Sequence, residues 1–438
     1  MTVTYLKQAS PPAEKATTNV AGVVAAIIKD VRAEGDAAVR RYSEKLDSWN
    51  PGSFRLSQEA IEKAVASLPD IVIDDLKFAQ DQVRSFAQRQ LESLADIEIE
   101  TLPGVILGHR HIPVGSVGAY VPGGRYPLLA SAHMTIITAK VAGVRRVTAC
   151  TPPIRGELPT ATIAAMHFAG ADEILLVGGV QAMAAMALGT ETIGPVDLLV
   201  GPGNAYVAEA NRQLFGEVGI DLLAGPTEIL VVADDIADPV TVAVDLLSQA
   251  EHGPDSPAVL ITTSDQVARE AVRYIDLILP GMPTRDLAGP AWANHGEVVL
   301  VSDIDEAYAL ADKYAFEHVE VLTRNPRRAL SAMSNYGALF LGAGTCVSFG
   351  DKVIGTNHVL PTRGAARYTG GLWVGKYLKT CTYQEVRDPA SSVLLGERCG
   401  RASRVEQFEG HARAADLRAA GPGARSLPWL QASVEPTG

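Results

Sequence analysis

Six stretches decide the fold: MTIITAKVAGV (134–144), RRVTACTPP (145–153), ATIAAMHFAG (161–170), EILLVGG (173–179), QAMAAMALG (181–189) and DLLVGPGN (197–204). Apolar residues at helical spacing in the first, third and fifth alternate with short β-rich runs in the others. Strands that follow one another through helices lie parallel and need cover on both faces, so this region reads as a parallel sheet between helical layers. A second series has the same character: EILVVADD (228–235), PAVLITTS (257–264), GEVVLVS (296–302), VEVLTR (319–324) and GALFLG (337–342). The fold class expected is therefore α/β, with two Rossmann-like parallel-sheet domains and no readable sequence repeat between them. Residues 15–95 read as helices and IEIETLPGVILGHRHIPVGSVGAYV (97–121) as strands. After about residue 375 a helical tail rich in Arg and Ala takes over. The expected organisation is 1–119 for the N-terminal helices and the start of the first α/β domain, 120–228 and 229–374 for the two Rossmann-like domains, and 375–438 for the tail.

Composition narrows the function. Apolar residues make up 47% and charged residues 20% of the 438 residues, ordinary for a globular protein with a large core. A formal charge of −12 argues against a nucleic-acid partner, which needs a basic face for phosphate. MTVTYLKQASPPAEK (1–15) has no apolar leader core, and no apolar run without charge is long enough to span a bilayer. The expectation is a cytoplasmic protein with a small-molecule partner and no membrane. Cys150, Cys346, Cys381 and Cys399 form no C-x-x-C pair, so any metal must be held by His, Asp, Glu or Gln.

Three glycine turns lie in the first series: VPGGRYP (121–127), LLVGGVQA (175–182) and LLVGPGNAYVAEA (198–210). In the last two a strand runs into glycines and then a helix, which offers backbone N–H groups and a helix N-terminus to a phosphate. Neither is the G-x-G-x-x-G fingerprint with its acidic partner, and glycine at such a turn also serves plain geometry.

Four segments of the second half carry metal-type ligands: SQAEHGPDS (248–256), YAFEHVEV (314–321), FGDKVIGTNHVLP (349–361) and VEQFEGHARA (405–414). Asp238-Pro239 reads as a helix start and Gly253-Pro254 as its stop, which sets Gln249 and His252 on one face of the last turn. Asp351 reads as a loop residue after a glycine, and His411 as part of the helical tail. In isolation each has an ordinary structural explanation: a capping His, a turn Asp, a solvated His. Glu317 and His318, adjacent in a strand, would ordinarily point to opposite faces.

In this order, behind a glycine-rich first half, the segments resemble the histidinol dehydrogenase family, zinc enzymes that oxidise a primary alcohol to a carboxylate with NAD. The resemblance covers about residues 15–415. It implies a zinc site of Gln249, His252, Asp351 and His411, one ion per subunit, with open positions for substrate. It implies NAD at Tyr120, Gln181 and Asn204, His318 as base for the alcohol, and Glu317 as activator of the water that attacks the bound aldehyde. Thr227, His358 and Glu406 join Gln249, His252, His318, Asp351 and His411 as substrate contacts. It also implies a homodimer in which the tail around Glu406 and His411 completes the partner's site.

Several segments depart from the pattern of the biosynthetic enzymes. YPLLASAHMTIITAK (126–140) places His133 where leucine is typical, GPTE (225–228) has Thr227 for serine, Lys352 stands beside Asp351, and GGLWVGKYLKT (370–380) loses two acids and gains a lysine. Histidinol is a cation-prone amine that extra cationic groups would repel. These segments are similar to the sulfopropanediol 3-dehydrogenase branch, whose (R)-2,3-dihydroxypropane-1-sulfonate becomes (R)-sulfolactate. Arg125, His133 and Lys352 are the candidates for the sulfonate. L-Histidinol remains the alternative substrate. A periplasmic-type small-molecule binding protein and a scaffold without activity are the alternatives of other classes.

Overall fold

The computed structural model describes residues 3–10, 19–123 and 127–431. Strand β1 (Thr4–Lys7) comes first, followed by helices Val20–Glu34, Asp36–Asp47, Gln58–Ala66 and Asp70–Glu92, then strands β2 (Ile97–Leu102) and β3 (Val105–Pro113). Contacts divide the chain into a large unit, residues 1–91 with 113–377, and a small one, residues 92–112 with 378–438.

The large unit holds two sheets. The first consists of β4 (Ser116–Tyr120), β5 (Arg146–Thr151), β6 (Glu173–Leu176), β7 (Leu198–Val200) and β8 (Gly219–Ile220), in the order β6-β5-β4-β7-β8 and parallel throughout. The second consists of β9 (Ile229–Ala233), β10 (Ala258–Thr262), β11 (Gly296–Leu300), β12 (His318–Leu322) and β13 (Ala338–Leu341), in the order β11-β10-β9-β12-β13. In both sheets the first strand is central, the next two build outward on one side, and the chain then crosses to the other. That is the Rossmann-like order expected from the alternating pattern. β1 adds to the second sheet, antiparallel to β11, a pairing no local signal announced.

Period-two burial explains why both faces are apolar. Ile229, Val231 and Ala233 of β9 enter one core, and Leu230 and Val232 enter the other. Behind the first sheet, Val24 and Val31 of the N-terminal helices pack with Met183 and Leu199. The helical segment Leu129–Val141 contains a π turn at His133–Ile137, a local widening frequent at functional sites.

In the small unit, the segment expected to be wholly helical opens instead with strand β14 (Leu378–Val386), in a sheet ordered β14-β3-β2. Its residues are mostly exposed, so no clean apolar alternation marked it. Helices Pro389–Val405 and Glu409–Ala420 follow and pack closely, since a Cβ at Gly396 would lie 2.7 Å from the Ala415 carbonyl oxygen. No helix among the described residues is long and apolar enough to cross a membrane.

Candidate functional site

Two edges of the large unit collect the polar groups singled out above. At the C-terminal edge of the first sheet, β4 and β7 are neighbours from which the chain builds in opposite directions, the position where open α/β sheets form a ligand crevice. Gly201, just past β7, has φ +118°, and a Cβ there would stand 2.2 Å from the Tyr120 carbonyl oxygen, so only glycine fits. Gly179, φ +68°, opens helix Gly179–Leu188 without a side-chain cap and donates its N–H to the Tyr120 hydroxyl (3.3 Å). Asn204 caps helix Ala205–Leu214, its Oδ1 accepting from the N–H groups of Tyr206 and Val207. Gln181 is fully buried; its Nε2 donates to Asp47 (3.3 Å), and its Oε1 has no hydrogen-bond partner among the described residues. A cavity of about 460 Å³ lined by Asp47, Gly179, Gln181 and Asn204 adjoins one of about 500 Å³ lined by Asn204, Gly225, Pro226 and Arg363. Arg125 lies outside the described residues.

At the second sheet the groups gather at the opposite, N-terminal edge. Glu228, Glu317 and Gly337 immediately precede the adjacent strands β9, β12 and β13. The Glu228 carbonyl accepts both the backbone N–H of His318 (3.2 Å) and His318 Nδ1 (3.0 Å). A carbonyl can only accept, so Nδ1 carries the proton and Nε2 keeps its lone pair. That Nε2 is buried and unpaired among the described residues. Burial, the largest influence, lowers the His318 pKa to about 4, so the ring is neutral at physiological pH. Glu317 is also buried, and its Oε2 accepts the Glu228 N–H (3.0 Å). Its pKa is raised well above the ordinary value, first by burial and then by the Asp351 and Glu228 charges. Gly337 lets β13 approach, since a Cβ there would sit 2.4 Å from the Glu317 carbonyl oxygen. Both side chains are therefore tied to Glu228: Glu317, which precedes the strand, through the Glu228 N–H, and His318, at the strand's first position, through the Glu228 carbonyl.

Helix Pro239–Ala250 starts as its sequence implies, with Asp238 accepting from the N–H groups of Val240 and Thr241, and it ends just after the buried Gln249. Gln249 Oε1 has no partner among the described residues. Asp351 corrects one expectation: it sits in a short helix, Val347–Lys352, and not in a loop. The reason is tertiary, because Gly350 lets that helix lie against the Phe340 ring. The Asp351 carboxylate has His252 Nε2 at 3.9 Å, His318 Nε2 at 3.8 Å and His358 Nδ1 at 4.0 Å, all too long for hydrogen bonds. Two ligands about 2.0–2.2 Å from one zinc ion stand at most about 4.4 Å apart. The separation of His252 from Asp351, with the orphaned Gln249 oxygen, thus suits ligands of one cation. Among the described residues no three His, Cys, Asp or Glu side chains form a metal-holding group by themselves. His411 and Glu406, in the small unit, are exposed.

The remaining candidates surround this edge. His358 Nδ1 meets the Asp351 backbone carbonyl (3.1 Å), and its Nε2 meets the Ser131 hydroxyl (3.3 Å). His133 is buried, and burial lowers its pKa to about 4. Gln80 Nε2 donates to the Ala165 carbonyl and to His133 Nδ1, so the neutral ring presents Nε2–H. His133 thus offers a neutral N–H donor. Lys352 is exposed; burial first, and then the Lys352 charge against the opposing Asp351 charge, lowers the pKa of both His252 and His358. Thr227 is half-buried beside Glu228. Glu228 itself was missed in the sequence because it works through its backbone N–H and C=O, which no side-chain motif displays.

Paired Rossmann-like sheets thus set glycine turns at one crossover and a buried Glu–His pair at the other sheet's rim. Residues 11–419 match the histidinol dehydrogenase family. The chain is 59% identical to a histidinol dehydrogenase homolog of Shouchella clausii, covering 94% of this chain and 98% of that protein. It is 47% identical to a sulfopropanediol 3-dehydrogenase of Ruegeria pomeroyi, covering 96% and 97%. The crystal structure of histidinol dehydrogenase from Elizabethkingia anophelis superposes with a TM-score of 0.88 at 33% identity, over 93% of this chain and 94% of that one. The chain belongs to the histidinol dehydrogenase family, which are NAD-dependent dehydrogenases.

Proposed function

We propose that this protein is a zinc-containing, NAD-linked dehydrogenase that takes a primary alcohol to a carboxylate, with (R)-2,3-dihydroxypropane-1-sulfonate as substrate and (R)-sulfolactate as product. The balance is RCH₂OH + 2 NAD⁺ + H₂O → RCOO⁻ + 2 NADH + 3 H⁺. The observation that carries the reading is His318 Nε2: a buried, unpaired lone pair whose tautomer the Glu228 carbonyl fixes, facing Asp351.

His318 takes the hydroxyl proton of the alcohol in the first oxidation, for which a neutral imidazole is required. Glu317 then draws a proton from the water that adds to the aldehyde. It can do so only when ionised, and neutralising Asp351 removes one of the charges that now oppose this. Gln249, His252 and Asp351, with His411, would hold zinc, which supplies Lewis-acid polarisation of the substrate oxygens when bound. Tyr120, Gln181 and Asn204 orient NAD along the first-sheet crevice.

The sulfonate reading is supported by Lys352, by the His133 Nε2–H donor and by the Ruegeria relative. Thr227, His358 and Glu406 complete the substrate shell in this reading. NADH formation from dihydroxypropanesulfonate and from L-histidinol, assayed side by side, tests it. The sulfonate should be preferred by at least about tenfold in kcat/KM, roughly 1.4 kcal/mol of discrimination; faster turnover of histidinol would assign the tail to an imidazole instead.

A homodimer with shared sites follows from the same reading. Val405 and Phe408, next to Glu406 and His411, are 84% and 55% exposed, large apolar surfaces that a partner subunit would cover. Mixing inactive His318→Gln and His411→Ala subunits should restore part of the activity once they exchange. No recovery after proven exchange would mean that each subunit builds its own site.

A further inference from the structure

The glycine turns of the first sheet lack the acidic residue that reads a ribose in ordinary dinucleotide folds, and the structure supplies one from elsewhere. Asp47 ends the helix Asp36–Asp47, where Ser48 turns the chain with φ +50°. It comes from the N-terminal helical segment, 134 residues before Gln181 in sequence, and accepts that residue's Nε2 across the crevice. It lines the same cavity as Gly179, Gln181 and Asn204.

The crevice has a direction. Asn204 is common to both cavities, and the second reaches Gly225, Pro226 and Arg363. The Arg363 N–H binds Glu228, whose own N–H binds Glu317. A dinucleotide laid along the two cavities therefore has its reactive end toward Glu317 and its adenosine end beside Asp47.

We propose that Asp47 accepts the 2′-hydroxyl of the adenosine ribose and thereby selects NAD over NADP. This rests on the reading that the crevice holds the cofactor. A ribose hydroxyl is a donor that a half-buried carboxylate can use, and Gln181 Nε2 holds the carboxylate in place. A 2′-phosphate would bring about two negative charges against that carboxylate in a partly desolvated site. Burial pushes the Asp47 pKa upward, in keeping with a partly desolvated position. Lys45 lines the same cavity and pulls the other way, but it is exposed and its charge is screened by water.

Calorimetric titration of NAD⁺ and NADP⁺ without substrate, into the wild type, Asp47→Asn, Asp47→Ser and Gln181→Ala, tests the assignment. The wild type should bind NAD⁺ at least about tenfold tighter than NADP⁺. Asp47→Ser should erase most of that preference, by losing NAD⁺ affinity and gaining NADP⁺ affinity; Asp47→Asn, nearly isosteric, covers the case in which Ser disturbs the helix end. NAD⁺ affinity that falls in Gln181→Ala while the preference survives both Asp47 changes overturns the role of Asp47 alone. NAD⁺ affinity indifferent to Gln181 and Asp47 alike, or absent from the wild type, removes the cofactor from this crevice and the inference with it.

Discussion

The two sheets of the large unit share one strand order and use opposite edges. The first gathers its candidate groups at its C-terminal edge, where Gly201 permits a close backbone approach and the helix starting at Gly179 turns its N-terminus outward, the Gly179 and Gly201 N–H groups themselves being held by the Tyr120 hydroxyl and the Asp221 carboxylate. The second works at its N-terminal edge, where Glu228, Glu317 and His318 present buried ionisable side chains. An anion such as a phosphate is met by backbone dipoles, which carry no protons to exchange. Proton transfer needs titratable groups, and burial moves His318 down and Glu317 up from their ordinary values. In the proposed reading the same topology hosts two chemistries, because one edge is made of glycine and backbone and the other of imidazole and carboxylate.

Changes at the two edges should separate accordingly. The largest effect belongs to the second sheet: His252→Ala should abolish bound zinc, read by atomic absorption, and cost more than about 10³-fold in turnover, while NAD⁺ affinity stays within about twofold. Full zinc content with near-wild-type turnover would remove His252 from the ligand set. At the first sheet, Gly201→Ala forces a Cβ against the Tyr120 carbonyl at a φ that side chains avoid. It should weaken NAD⁺ binding about tenfold and destabilise the fold by roughly 1–3 kcal/mol, with zinc retained. A variant with unchanged melting and NAD⁺ affinity would contradict the close approach.

A smaller effect concerns pH. The His318 pKa is about 4 in the folded chain against an ordinary 6.5. Between these values the unfolded chain binds the proton and the folded one does not, so stability falls as pH drops from 6.5 towards 4. His318→Gln should flatten that part of the melting curve against pH by roughly 1–3 kcal/mol. An unchanged slope would place the ring in contact with solvent.

The alternation of strands and helices was legible because a parallel sheet buried on both faces leaves runs such as ILVVA (229–233) that allow little else. The start of helix Pro239–Ala250 was legible for a local reason, the Asp-Pro cap. β1 was not, because its partner β11 lies almost three hundred residues away and the strand itself is mostly exposed. The helix bearing Asp351 was hidden by Gly350, unfavourable in a helix by itself and needed there only for Phe340. At the site, the residue types in Glu317-His318 were visible, whereas the tautomer of His318 depends on the Glu228 carbonyl, which only register brings there. Asp47 escaped because its role depends on a contact between distant segments.

The division of labour between the edges is tested most directly by single-turnover oxidation at saturating NAD⁺, started separately from alcohol and from aldehyde, in His318→Gln and Glu317→Gln. His318→Gln should slow the alcohol stage by roughly 10²–10⁴-fold, and Glu317→Gln should slow mainly the aldehyde stage, with NAD⁺ affinity unchanged in both. Equal, mild losses in both stages, or losses that trace to NAD⁺ binding, would contradict the account.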